Sequence, residues 1–298
     1  MANVDNLKIK ITRLSDNATF LLENGSRWRI ANEGLEGFGG WGSNITFADS
    51  ASDDGGLITA EHISKVNRTI NAICDTRASM DVGRQEVVQF FRVKEDYRVN
   101  IIYGTFDVFA DGKIEKFLLN ERHLDRGYLT FTLTLLFPNP YFKSTDDYGK
   151  NIASLRPMIA FPFLCSSANG IKLAKGTTGG IYDFAQQVIV NNSGDVATKP
   201  KIRITANGDV INPRISINGY TVRIIDTLVN KDVIELDFSQ TPPTVKKNGS
   251  NFIGHCDRTS AFNQMLLDRG DNVIRYDADN GSSHIDVVVY YNNLYGAI

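Results

Sequence analysis

The stretch FPNPYF, Phe137 to Phe142, follows GYLTFTLTLL, a run of alternating residues that ends at Leu136. Alternation over such a length reads as a β-strand with one face in a core. Proline has no N–H to donate and is confined to strand ends, edges and bulges. A strand therefore cannot run on through Pro138 and Pro140 as a central member of a sheet. The stretch reads as a boundary, and the chain on its two sides differs in texture.

Before the boundary the pattern is mixed. LKIKITRL alternates from Leu7, and SRWRIAN follows an Asn24-Gly25 turn. A glycine-rich, irregular excursion comes next, over about Gly34 to Gly56, and alternation resumes from about Leu57 to Asp75. MDVGRQEVVQFFRV has the spacing of a helix, with Asp81 or Ser79 as cap and Val87, Val88 and Phe91 on its apolar face, joined by Arg84 and Phe90. The following segment reads as strand, strand, a turn at Asp111-Gly112, and strand. This half is α+β: antiparallel strands with one helix packed on them.

Beyond the boundary there are five Asn-Gly pairs, at Asn169, Asn207, Asn218, Asn248 and Asn280. Asn-Gly is the strongest short-range signal for a two-residue hairpin, because both residues tolerate positive φ. Between the pairs lie short β-rich runs such as KPKIRITA, DVIELDF and HIDVVVYY, and only RTSAFNQML offers a helical turn. Many short strands at close spacing read as a β-sandwich. The expected fold is thus mainly β, with an α+β domain over residues 1–143 and a sandwich over 144–298. Pro138, Pro140, Tyr141 and Phe142 are the expected joint between them.

Composition removes several function classes. A net charge of −2, with acids interleaved among bases, gives no reason to expect phosphate tracking. There is no run of about 18 apolar residues to span a bilayer, and MANVDNLKIK lacks the order of a secretory signal. Cys74, Cys165 and Cys256 are sparse and far apart, against a disulfide framework or structural zinc.

Candidate chemistry is weak throughout. GFGGWG, Gly37 to Gly42, matches a dinucleotide pattern literally, but lacks the strand before it and the helix after it. A loop carrying Phe38 and Trp41 to an interface fits better. His62, His123, His255 and His284 have no zincin spacing. GHCDRTS gathers His255, Cys256, Asp257 and Ser260, yet catalytic triads assemble from distant positions. Asp53 and Asp54, or Asp277 and Asp279, could be named as glycosidase pairs or calcium ligands, but RYDADNGSSH lacks the twelve-residue loop with a closing Glu, and its acids read as solvated at an Asn-Gly hairpin tip. No catalytic residue, cofactor or metal is expected, and the chain reads as non-enzymatic.

NEGLEGFGGW leads into a loop with DDGG, then a strand with VNRTINAICD, the helix GRQEVVQFF, strands with YRVNIIYGTF and KIEKFLL, and the ending TLTLLFPNPYF. This order of features resembles the distal tail protein (Dit) family of long-tailed bacteriophages. VNNSGDVATKPKIRI, INPRISINGYTVRI, DVIELDF, VKKNGSN and RGDNVIRYDADNGSSHIDVVVYY resemble the galectin-like sandwich often appended to these proteins.

The resemblance implies a structural hub: a homo-oligomeric ring, six-fold in the family, at the tail tip of a virion or tail-like particle assembled in the bacterial host cytoplasm. Implied partners are the tail tube protein, a tail-associated lysin or tip protein, and receptor-binding or baseplate proteins. DNA would pass through the ring without specific binding, and no membrane is involved. The excursion at about 34–56 would be a belt-like arm reaching the neighbouring subunit, with Phe38, Trp41, Ile45 and Phe47 as anchors. The runner-up is an adsorption module binding cell-wall carbohydrate through the sandwich. Against it, Trp28 and Trp41 both lie in the first half, leaving the sandwich no tryptophan to stack on a sugar.

Overall fold

A computed structural model describes residues 7–40, 42–49, 54, 56–74, 80–120, 128–145, 150–151, 155–156, 181–182 and 187–298. The chain forms two compact units, Met1–Thr145 with Leu294–Ile298, and Asp146–Asn293. The chain thus leaves the first unit after Thr145 and returns to it at Leu294. No helix among the described residues is long and apolar enough to cross a membrane.

The first unit is built on one antiparallel sheet. Its strands are β1 (Lys8–Arg13), β2 (Thr19–Glu23), β3 (Trp28–Glu36), β6 (Val66–Cys74), β7 (Asp96–Tyr103), β8 (Phe106–Asn120), β9 (Leu129–Phe137) and β10 (Phe142–Ser144). β4 (Ser43–Asp49) and β5 (Gly56–Ile63) form a separate two-stranded hairpin. The main order is β2-β1-β7-β8-β9-β6-β3, and β10 pairs with β8 on one side and Leu294–Tyr295 on the other.

Alternation does what the sequence promised in β9, where Leu129, Phe131, Leu133, Leu135 and Phe137 all point into the core. Each such side chain contributes about 1.5–3 kcal/mol through removal from water. The helix α1 (Met80–Phe90) lays Val87 and Phe90 against this core, joined by Phe91 just beyond its end. Phe20, Phe90, Phe91 and Phe131 meet there with ring centroids 4.9–6.0 Å apart. Val88, expected on the buried face, is exposed. Asp81 sits inside the first turn rather than capping it, and Ser79 lies outside the described residues.

The expected turn at Asp111-Gly112 does not form. β8 runs straight through it, and the reversal comes earlier, at Gly104-Thr105. Gly112 serves close packing instead: a Cβ there would fall 2.7 Å from the Leu136 carbonyl oxygen and 2.8 Å from the Phe137 ring. The excursion also differs from expectation. Gly34 to Glu36 belong to β3 in the main sheet, and the hairpin runs beyond Gly56 to Ile63.

The second unit is a sandwich of two antiparallel sheets. One orders Lys150–Asn151, Ile285–Tyr290, Lys201–Ala206, Val233–Asp237, Thr244–Lys247 and Ser250–Asn251. The other orders Gln187–Asn192, Gly270–Asp277, Arg214–Ile217 and Tyr220–Arg223. Alternate residues of both, among them Ile202, Ile204, Leu236 and Val287 facing Ile215, Ile217, Ile274 and Tyr276, make one core.

Two Asn-Gly pairs close hairpins as expected. Asn218-Gly219 and Asn248-Gly249 have φ of 49° and 91°, and 50° and 84°, the signs a type I′ turn requires. Asn207-Gly208 and Asn280-Gly281 instead lie in irregular connections that bond to each other's segments, as Asn207 N–H does to the His284 carbonyl. Asn169-Gly170 lies outside the described residues. RTSAFNQML supplies one 3₁₀ turn, Phe262–Gln264.

Candidate assembly interface

The stretch FPNPYF does not simply end a strand. β9 pairs with β8 as far as Leu136 opposite Lys113, and β10 resumes on the same edge of β8 with Lys143 opposite Phe109. Between them the two prolines step out of the ladder, where neither needs a hydrogen-bond partner for its nitrogen.

What the step surrounds is Arg68. β6 turns Arg68, Ile70, Ala72 and Cys74 inward in alternation, so a cation occupies an apolar position and is fully buried. Among the described residues no carboxylate pairs with it. Its Nε donates to the Gly37 carbonyl at 3.2 Å and its Nη2 to the Pro140 carbonyl at 2.6 Å. Its guanidinium carbon stands 3.8 Å from the centre of the Phe142 ring, 5.0 Å from Phe137 and 5.9 Å from Phe38. Burial draws its pKa down to about 10, which still leaves it protonated at neutral pH. Carbonyl dipoles and ring faces thus hold the charge in place of a counterion. Both aromatic ends of FPNPYF and one of its proline carbonyls are spent on this cation.

Arg68 also ties down the root of the arm, since Gly37 and Phe38 are where the chain leaves the main sheet toward β4. Phe38 stacks on Phe142 with centroids 6.1 Å apart and is buried in the core of the first unit. This corrects the expectation for Phe38: its ring is not available to a neighbour. Trp41 lies outside the described residues.

The arm itself is different. Every residue of β4, and every residue of β5 except Ile63, is exposed. Ile45 is opposite Glu61 and Phe47 opposite Ile58, with a bulge between Thr46 and Phe47. Opposed residues share a face, so Ile45, Phe47 and Ile58 line one side, at 43%, 61% and 56% exposure. Ala48 and Leu57 are paired on the other, with Leu57 73% exposed. Both strands pair only with each other among the described residues, leaving two open edges. A lone two-stranded hairpin is marginal in water, and open edges with apolar faces are what adds to a partner.

At the expected joint, Pro138 is exposed, Pro140 and Tyr141 are half-buried, and Phe142 is fully buried in the first unit. The Tyr141 N–H bonds to Asn139 Oδ1 at 3.0 Å, which shapes the turn between the prolines.

The polar candidates of the second unit are engaged by neighbours within it. His255 stacks flat on Phe252 at 4.0 Å, and burial pushes the Cys256 thiol up to about 11, away from nucleophile behaviour. Asp257 is engaged by Thr259 at 2.7 Å. Asp277 and Asp279 are not solvated acids at a hairpin tip: Arg214 pairs with both, and Arg223 and Asn212 also bind Asp279. These partners hold both carboxyls below their usual range, the Arg214 hydrogen bond being the main cause for Asp277 and the Asn212 hydrogen bond for Asp279. Among the described residues no cluster of His, Cys, Asp and Glu could hold a metal.

Residues 193–295 match the family model described as siphovirus-type tail component, C-terminal domain. No curated protein sequence matches the chain. Among solved structures, the phage SPP1 Dit (gp 19.1) protein, described as a paradigm of hub adsorption apparatus in Gram-positive infecting phages, is similar at a TM-score of 0.63 and 12% identity, covering 95% of this chain and 98% of that one. A chain of the phage P2 baseplate in its activated conformation with Ca aligns at a TM-score of 0.43 and 12% identity, over 96% of this chain and 97% of that one. Residues 193–295 thus match the C-terminal domain of siphovirus-type tail components, and the chain as a whole shares its fold with the SPP1 Dit protein.

Proposed function

We propose that this chain is the structural hub of a phage or phage-like tail tip, closing into a ring, six-fold by the family's habit, between the tail tube and the baseplate or receptor-binding machinery. The observation that carries the reading is the β4–β5 arm, an exposed hairpin with an apolar face and two open edges on an otherwise well-packed unit. A ring needs a head-to-tail contact between unlike surfaces, and an arm that leaves its own body supplies one half of it. Ile45 and Phe47, with Ile58, are the anchors; Tyr141 and Phe142 hold the exit toward the second unit. The tube protein binds one side of the ring, and tip, lysin or receptor-binding proteins the other. The ring is assembled in the host cytoplasm and carried at the tail tip. The chain is read as non-enzymatic, and the sandwich has no tryptophan to stack on a sugar, since Trp28 and Trp41 both lie in the first half.

Gold-labelled antibody against the chain, applied to intact tailed particles, tests this. Label confined to the end of the tail away from the head is expected. Label along the whole tube, or on the head, overturns the reading.

A further inference from the structure

Residues 294–298 return to the first unit and touch two things that the arm depends on. Leu294 and Tyr295 pair with Lys143 and Phe142 of β10. Ile298 then donates its N–H to the Phe38 carbonyl at 3.2 Å. Tyr295 is fixed further by an edge contact to Phe106, with centroids 5.7 Å apart.

β10 is also the strand by which the chain departs: Thr145 follows it, bonded through N–H and Oγ1 to the Asp107 carbonyl, both at 3.1 Å. Both connections to the second unit therefore pass through one pair of adjacent antiparallel strands. Phe142 in that pair meets both Arg68 and Phe38, and Arg68 holds Gly37. An unbroken set of contacts runs from the two connections to the residues where the arm begins.

We propose that Leu294–Ile298 is a strap that locks the root of the arm, so that load applied to the second unit's connections is felt at Gly37 and Phe38. Coupling of this kind needs an element whose state both ends bias, and the β10–strap pair is that element. Its stabilising contact with the arm root is the Ile298 N–H, which a proline at 298 removes without touching β10. The strap itself is a property of the single chain. Only its effect on ring closure rests on the proposed hub.

The experiment is hydrogen exchange of the Arg68 Nε–H and of the Phe142–Ser144 amides, read by NMR on the full chain and on Ile298→Pro. A second variant ends at Asn293. Loss of one hydrogen bond at the root should speed Arg68 Nε–H exchange about two- to tenfold in Ile298→Pro, with the amides of β1 and β7 unchanged. The shortened chain should add faster exchange in β10. Unchanged Arg68 exchange in Ile298→Pro overturns the strap, whatever the shortened chain does. Light scattering of the same samples keeps the two proposals apart. If the unaltered chain never forms rings, the hub reading fails, and exchange alone still decides the strap.

Discussion

The guanidinium of Arg68 lies 3.8 Å above the ring of Phe142, and between them these two residues join the root of the arm to the strand by which the chain leaves the first unit. Burying an arginine without a carboxylate is costly, so its removal reports how much the site depends on it. Arg68→Ala leaves the Gly37 and Pro140 carbonyls without their donor and opens a hole beneath three rings. Urea unfolding should show a loss of about 3 kcal/mol. Arg68→Lys should recover only part of it, because an ammonium cannot reach both carbonyls in the fork geometry. An alanine variant as stable as the parent would contradict the role.

Gly112 offers a test of packing in the middle of a strand. Gly112→Ala sets a methyl 2.7 Å from the Leu136 carbonyl oxygen and 2.8 Å from the Phe137 ring, so the backbone or the buried ring must shift. The expected loss is about 1–3 kcal/mol, measured by thermal or denaturant unfolding. Were Asp111-Gly112 a surface turn, the same change would cost much less.

The hairpin turns of the second unit give a matched pair. Gly219 and Gly249 have φ of 91° and 84°, with nothing near an added Cβ. Alanine at either position should therefore cost about 1 kcal/mol through backbone strain alone. Unequal losses would point to contacts that differ between the two turns.

These cases show what the sequence made legible. Alternation in β9, the apolar spacing of Val87, Phe90 and Phe91, and the Asn-Gly turns at 218 and 248 are local signals, and the structure follows them. Asp111-Gly112 carries the same turn signal and misleads, because its glycine is needed for the approach of Phe137, about 25 residues along the chain. Arg68 gave no sign of being buried, since its partners come from Gly37 and Pro140. The neutralised pair Asp277 and Asp279 depended on the register that sets Arg214 opposite Asp277. The arm was visible as an excursion but not as a hairpin, because β4 is a short run set between glycine-rich segments that dominate the texture of the stretch.

Asp16 gives the pH dependence. Arg13, itself buried and bonded at 2.6 Å to the Phe90 carbonyl at the end of α1, binds the Asp16 carboxylate and lowers its pKa from 3.8 to about 2, helped by the Ala18 N–H. The folded chain keeps Asp16 charged to lower pH than the unfolded chain does. Its contribution is therefore full above about 3.8 and is lost as pH falls through about 2. Asp16→Asn should lower stability at neutral pH, and the gap to the parent should close over that acid window. A gap that is constant down to the lower limit would contradict the pairing.

The central claim is that the β4–β5 arm closes a ring. The direct measurement is negative-stain imaging, with mass by light scattering across a concentration series, of the purified chain and of the double variant Phe47→Asp, Ile58→Asp. Both side chains are exposed and opposed on one face of the hairpin, so the first unit should keep its thermal stability in the variant. The account predicts rings of uniform diameter for the parent and monomers for the variant. A parent that stays monomeric at every concentration, or rings that survive both substitutions, would contradict it.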